Sequence, residues 1–170
     1  RKLAEAGLFG ISVPEELGGA GADVLAYAMV MEELSRGYAS VADQVGLVEL
    51  LGTLLTRHGT PAQQDRYLRP LLKADLRCAY ALTEAEAGSD LAGLKTRARR
   101  TADGWVLDGA KLWIHNAPVA DFAAVLARMD PEAGHRGMAI LPVDLNSPGV
   151  TRDRQEHKLG QRGPPVGGPR

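Results

Sequence analysis

The chain has 170 residues, 45% of them hydrophobic, with 20 basic and 21 acidic side chains and a net charge of -1. That length supports one sizeable core or two small ones, and the even balance of charge gives no sign of the strongly basic face that a nucleic-acid partner needs. One cysteine, Cys78, excludes a disulfide framework and points to a reducing compartment, and no apolar run approaches the ~18 residues of a membrane span.

Leu3, Ala6 and Phe9 recur at helical spacing, and Gly10 can stop that turn. Pro14 then bends the chain, and Gly18, Gly19 and Gly21 make the next stretch a loop. Asp23 is placed to cap a helix over 24–36. Its amphipathic face reads as Leu25, Met29, Met31, Glu32 and Leu34, with Gly37 as its stop. Ser40 caps a second helix over 41–57, with Val45, Val48, Leu51 and Leu55 on one stripe. Thr60-Pro61-Ala62-Gln63 has the form of a capping box with proline at the first helical position. The helix it opens runs to about Lys73, and Pro70 predicts a kink or an early end.

After Asp75 the apolar period falls to about two. Strands are expected at 77–82, 95–100, 105–107, 111–114, 121–128 and 137–143, with hairpin turns at Asp103-Gly104 and Asp108-Gly109. Thr96 and Ala98 alternate with Arg97 and Arg99, as on an exposed strand. The chain is therefore expected to be α+β: a helical domain over 1–75, then an antiparallel β-sandwich or barrel over 76–160. Beyond Leu159 glycine and proline dominate, so 161–170 reads as a disordered tail or a cut end.

Two segments of the β half could carry chemistry. In Tyr80–Asp90, YALTEAEAGSD, an apolar run stops at Thr83 and gives way to Glu84, Glu86 and a small-residue turn. Gly88 permits close approach or a positive φ, and Ser89 and Asp90 offer acceptors to nearby amides. Such a turn can aim several N–H groups at an anion such as a phosphate; a plain polar loop is the alternative. Glu84 and Glu86 could act as an acid/base pair, or be solvated or cap the turn. In Lys111–Asn116, KLWIHN, a tryptophan stands beside a histidine on a strand, where Trp113 could wall a planar ring or simply be core. The four histidines lie apart with no metal-ligand spacing, so no metal site is expected. No Walker, Rossmann or nucleophile-elbow pattern is present.

These segments, in this order, resemble the acyl-CoA dehydrogenase family. The family's first flavin segment is similar to [Tyr/Cys]-x-[Leu/Val]-Thr-Glu-Pro-x-Ala-Gly-Ser-Asp, and its later strand to Lys-x-Trp-Ile-Thr-Asn. The upstream GLFGISVPEELGGAGAD and HGTPAQQDRYLRPLLKAD resemble its N-terminal domain, and HKLGQRG the close of its β domain. The resemblance implies FAD as cofactor, with Tyr80, Leu82, Thr83, Gly88, Ser89, Trp113, Ile114 and His115 as its binding residues. Leu82 and Thr83 would hydrogen-bond the flavin ring, Trp113 would pack on it, and Ser89 would meet the FAD phosphates or the thioester ligand.

It also implies α,β-dehydrogenation of an acyl-CoA, with an electron-transferring flavoprotein as acceptor and a homotetramer as the assembly. The catalytic glutamate would belong to a C-terminal four-helix domain absent here, so no catalytic residue is expected in this chain. An acyl-CoA oxidase or a nitroalkane-oxidase-like enzyme is the reading next to it, and a flavin-free binding or assembly module stands outside it. A cytoplasmic location is expected, with the mitochondrial matrix the other place open to it. Two positions depart from the family pattern: Ala85 replaces its proline, and His115 its Thr or Ser.

Overall fold

The computed structural model describes residues 1–170. The chain divides into two compact units: Arg1–Cys78 with His157–Pro164, and Ala79–Glu156 with Pro165–Arg170. His157–Pro164, expected at the end of the β half and in the tail, thus belongs by its contacts to the helical unit.

The helical unit is built on α2, Val24–His58, after a short α1, Lys2–Glu5. Asp23 caps α2 by accepting from the Ala26 amide at 2.8 Å. The helix breaks at Tyr38, whose backbone is extended (φ -159°, ψ 105°), one residue past the stop expected at Gly37. Ser40 does not act as the expected cap. It is buried, and its hydroxyl donates to the Gln161 side chain at 3.3 Å, tying the returning segment to the break. The second half of α2 supplies the core with Val45, Val48, Leu51 and Leu55, as the stripe predicted.

The first half follows the expected face at Met31 and Leu34 but not at Leu25 and Met29. Leu25 and Met29 are 64% and 60% exposed, while Tyr27, Val30, Met31 and Leu34 are half-buried. That half is apolar on two sides, so its periodicity selects no unique inner face. By length and composition Val24–His58 is also apolar enough to cross a bilayer, against the sequence expectation. Its break at Tyr38 and its buried stripe make it the central helix of this unit instead.

Thr60 and Gln63 close the capping box reciprocally, at 3.3 and 2.9 Å, and open α3, Pro61–Gln63. The helix neither ends nor breaks before Pro70. It widens to a π-turn over Gln64–Leu68 and continues as α4, Arg69–Leu72. A wider ring just upstream is one way to absorb a residue with no N–H to give.

The second unit is organised on β5, Phe122–Arg128, buried along nearly its whole length. β6, Met138–Asp144, pairs with it antiparallel from Phe122↔Asp144 to Arg128↔Met138. β1, Cys78–Ala81, also neighbours β5. β2, Arg97–Thr101, and β3, Gly104–Asp108, form the hairpin expected at Asp103-Gly104. β2 meets β5 through one parallel register, Arg97↔Arg128, so the sheet is mixed rather than purely antiparallel. Thr96 and Ala98 are buried and Arg97 and Arg99 exposed, as the alternation required. Small residues fill the core beneath: Ala79, Ala81, Ala117, Ala120 and Ala123 pack with Ile114, Val125 and Leu145.

Two expectations fail here for one reason. Asp108-Gly109 does not turn a hairpin into a strand at 111–114. The chain leaves the sheet, and only Ile114–His115, β4, is extended. Its partner is β7, Val166–Gly167, in the segment expected to be a tail. The Asn116 amide donates to the Pro165 carbonyl at 2.7 Å, and the Lys111 amide to Pro169 at 3.0 Å. A Cβ on Gly168 would lie 1.9 Å from the Lys111 carbonyl, so glycine is what permits this approach. The glycine and proline content that reads as disorder serves close packing against 111–116.

Leu51→Ala should cost roughly 2–5 kcal/mol, as for a fully buried leucine, whereas Leu25→Ala should stay within about 0.5 kcal/mol. Urea denaturation of the two variants checks the phase of α2.

Candidate functional site

The two sequence motifs meet at one buried pair. Lys111 Nζ lies 2.8 Å from Glu84 Oε1, and the two side chains are only 2% and 8% exposed. The same ammonium donates to the Leu82 carbonyl at 2.9 Å. Glu84 Oε1 also accepts from the Thr96 amide at 3.0 Å and Oε2 from the Lys95 amide at 2.7 Å. Burial alone would raise the Glu84 carboxyl; the hydrogen bonds from Lys111, Thr96 and the Lys95 amide outweigh it and lower the pKa to about 2. Lys111 is pushed below the ordinary lysine value by burial, which its bond to Glu84 only partly opposes.

Glu84 is therefore neither solvated nor half of an acid/base pair. Its oxygens are filled by structural donors, and its partner across the turn is backbone: Glu84 and Ala87 exchange N–H···O bonds at 3.0 and 3.2 Å. Glu86 is exposed and paired with the exposed Lys95, whose bond and charge lower the Glu86 pKa. Sequence reading missed Lys111. A lone lysine beside a turn signals solvent, and only the facing carboxylate reveals that it is buried.

This pair aligns the expected site residues. Leu112 donates its amide to the Thr83 carbonyl at 2.9 Å, so Trp113 stands next to the end of β1. With the Leu82 and Thr83 carbonyls held from this side, both residues remain half-exposed along the edge. The turn beyond leaves Gly88, Ser89 and Asp90 exposed. Asp90 accepts from the Ala92 amide at 3.1 Å, opening the short 3₁₀ turn Leu91–Gly93. Gly88 does not need a positive φ, and a Cβ there would meet nothing within 4 Å. Its smallness thus relieves no contact inside the chain and leaves the turn's surface open. Tyr80 is half-buried on β1, and burial raises its phenol pKa.

Trp113 is not on a strand, as the sequence suggested. It takes φ +58°, and the residue is 65% exposed. Asn116, three residues on, has φ +63°. Left-handed backbone costs a non-glycine residue about 1–2 kcal/mol, and such strain clusters at binding sites. Strained backbone that turns a tryptophan toward solvent wastes apolar burial unless something covers it. Ile114 faces the other way, 3% exposed in the alanine-rich core, so its side chain cannot line a site. His115 is half-buried on β4 opposite Val166. Cys78, fully buried, has its thiol pushed up to about 12 mainly by burial and plays no part.

Residues 79–169 match the acyl-CoA dehydrogenase middle domain, and residues 1–75 the acyl-CoA dehydrogenase N-terminal domain. The chain belongs to the acyl-CoA dehydrogenase family. It is 42% identical over 165 residues to the human mitochondrial short-chain specific acyl-CoA dehydrogenase, covering 96% of this chain and 40% of that protein. It is 41% identical over 161 residues to the caffeyl-CoA reductase–Etf complex subunit CarC of Acetobacterium woodii, covering 94% of this chain and 42% of that one. A solved glutaryl-CoA dehydrogenase of Mycobacterium smegmatis in complex with FADH2 superposes with a TM-score of 0.90 at 30% identity, over 99% of this chain and 42% of that one. The chain thus spans about two fifths of the length of these acyl-CoA dehydrogenase relatives.

Because the Glu84 pKa is lower folded than unfolded, the stability it contributes is present above the ordinary carboxylate value near 4.5 and lost as pH falls toward 2. Urea midpoints measured across that window should fall for the parent chain and fall less for Glu84→Gln. At neutral pH, Lys111→Met leaves the carboxylate buried alone and should cost roughly 3–5 kcal/mol. A Lys111→Met variant as stable as the parent would show that the pair does not tie the motifs together.

Proposed function

We propose that the edge formed by Leu82, Thr83, Gly88, Ser89, Trp113 and His115 is one wall of an FAD site in an acyl-CoA dehydrogenase. The observation that carries this reading is the exposed Trp113 indole on strained backbone, one hydrogen bond away from an open, small-residue turn. These residues fit a dinucleotide with a flat ring. The indole offers an aromatic face, the Thr83 hydroxyl a hydrogen-bond group, and the exposed turn at Gly88 and Ser89 suits phosphate oxygens. Gly88 keeps that surface free of a side chain. The relative solved with FADH2 supports the same cofactor here.

When bound, FAD supplies the two-electron acceptor that acyl-CoA oxidation requires. This chain's own part is to place it. Lys111 and Glu84 hold the Leu82–Ala87 backbone still, Trp113 packs on the ring, and Ser89 meets the cofactor phosphates or the thioester ligand. We assign the chain no catalytic base: Glu84 is fully occupied by donors, and Glu86 is solvated and paired. The substrate class we propose is an acyl-CoA, oxidised between its α and β carbons, and the electron partner an electron-transferring flavoprotein. The Etf complex named for the Acetobacterium woodii relative supports that partner. The same relative is named a reductase, which favours a second reading in which the intact enzyme runs the reaction toward the saturated acyl group.

In the intact protein, Trp113→Ala should weaken FAD by about 1–3 kcal/mol, a ~5–150-fold rise in Kd. Cofactor retained through ultrafiltration, read by flavin absorbance, measures this. Retention equal to the parent's would make Trp113 an ordinary surface residue.

A further inference from the structure

The helical unit contains a groove of about 690 Å³ between the two halves of α2, within the size range of small-molecule sites. At its base lies Glu49, only 5% exposed. Glu49 Oε1 accepts from the Ser12 amide at 2.8 Å and from the Ser12 hydroxyl. Its Oε2 is buried with no partner, and so is Thr56 Oγ1, which lines the same groove. A buried carboxylate oxygen without a donor is costly, so two unmet polar atoms in one cavity point to something that enters it.

The surroundings narrow its chemistry. Val24 and Leu50, exposed apolar residues, form walls. Gly46 lets Met31 and Tyr27 pack close against the second half of α2: a Cβ there would come within 3.1 Å of Met31 Cε and 3.4 Å of the Tyr27 hydroxyl. The Tyr27 phenol pKa is raised by burial and then by the charge of Glu49, which places it in the carboxylate's field as a proton-bearing neighbour. Arg57 and His58 also line the groove, but both are exposed, and the Arg57 charge is screened by solvent. A water molecule could give Oε2 a hydrogen bond but would leave the buried charge uncompensated; an ammonium supplies both.

We infer that this groove binds a small primary ammonium compound with an apolar body, its N–H group donated to Glu49 Oε2. The site lies wholly in the helical unit and does not depend on the flavin reading.

Hexylammonium and hexan-1-ol, titrated calorimetrically into the intact protein, test this with probes of equal length. The amine should bind at least tenfold tighter than the alcohol. Glu49→Gln should remove that tenfold preference, and Leu50→Trp, at an exposed wall position, should block both probes while leaving the Ser12–Glu49 bonds alone. Should Glu49→Gln fail to fold, the amine-to-alcohol ratio in the parent and the Leu50→Trp block decide the matter. Equal affinity for the two probes, no saturable binding of the amine, or amine binding indifferent to both substitutions would overturn the proposal.

Discussion

A buried lysine held 2.8 Å from a buried glutamate is what makes the β unit more than a sheet with loops. Each charge taken from water costs several kcal/mol, and only good geometry with further hydrogen bonds returns it. Here the geometry is complete. Glu84 receives Lys111 and two backbone amides, and Lys111 reaches both the carboxylate and the Leu82 carbonyl. The consequence is positional: the end of β1, the start of β2 and the segment before Trp113 converge on one point. A hydrophobic contact of the same size could have stabilised the fold, but it would not have fixed the direction of so many backbone groups.

That fixed frame explains why strain survives next to it. Trp113 and Asn116 both sit in left-handed conformations between anchored neighbours: Leu112 bonded to Thr83, and Asn116 bonded to Pro165. Surrounding structure has to over-determine such backbone for it to persist. The closing segment Pro165–Arg170 shares in this, since it pairs with β4 and accepts the Lys111 amide. The result is an indole presented outward beside a small-residue turn, the arrangement a flat cofactor needs and a folding core does not.

Much of this was legible in the residues, and the parts that were not share a cause. Local chemistry read correctly wherever it decides structure by itself: Asp23 caps α2, Thr60 and Gln63 close their box, and Thr96 and Ala98 alternate with arginines on β2. The inner face of the first half of α2 did so only in part, because apolar side chains surround it and the choice belongs to the tertiary contacts. Trp113 looked like a strand residue because aromatics favour strands; its left-handed backbone follows from bonds to residues far along the chain. Lys111 drew no reading of its own, because a lysine is usually solvated and gives no sign of burial. The last residues looked like a tail because Gly168 and its neighbours suit disorder and close packing equally well. The site motifs were recognisable as a pair, but what joins them, Glu84 with Lys111, was visible only in three dimensions.

Hydrogen–deuterium exchange on the intact protein with and without FAD tests the central claim most directly. The account predicts that cofactor slows exchange at the amides of 82–90 and 112–116 together, while the hairpin of β2 and β3 at 97–108 is unchanged. Protection confined to the hairpin, or absent from both motif segments in a protein that demonstrably holds FAD, would contradict it.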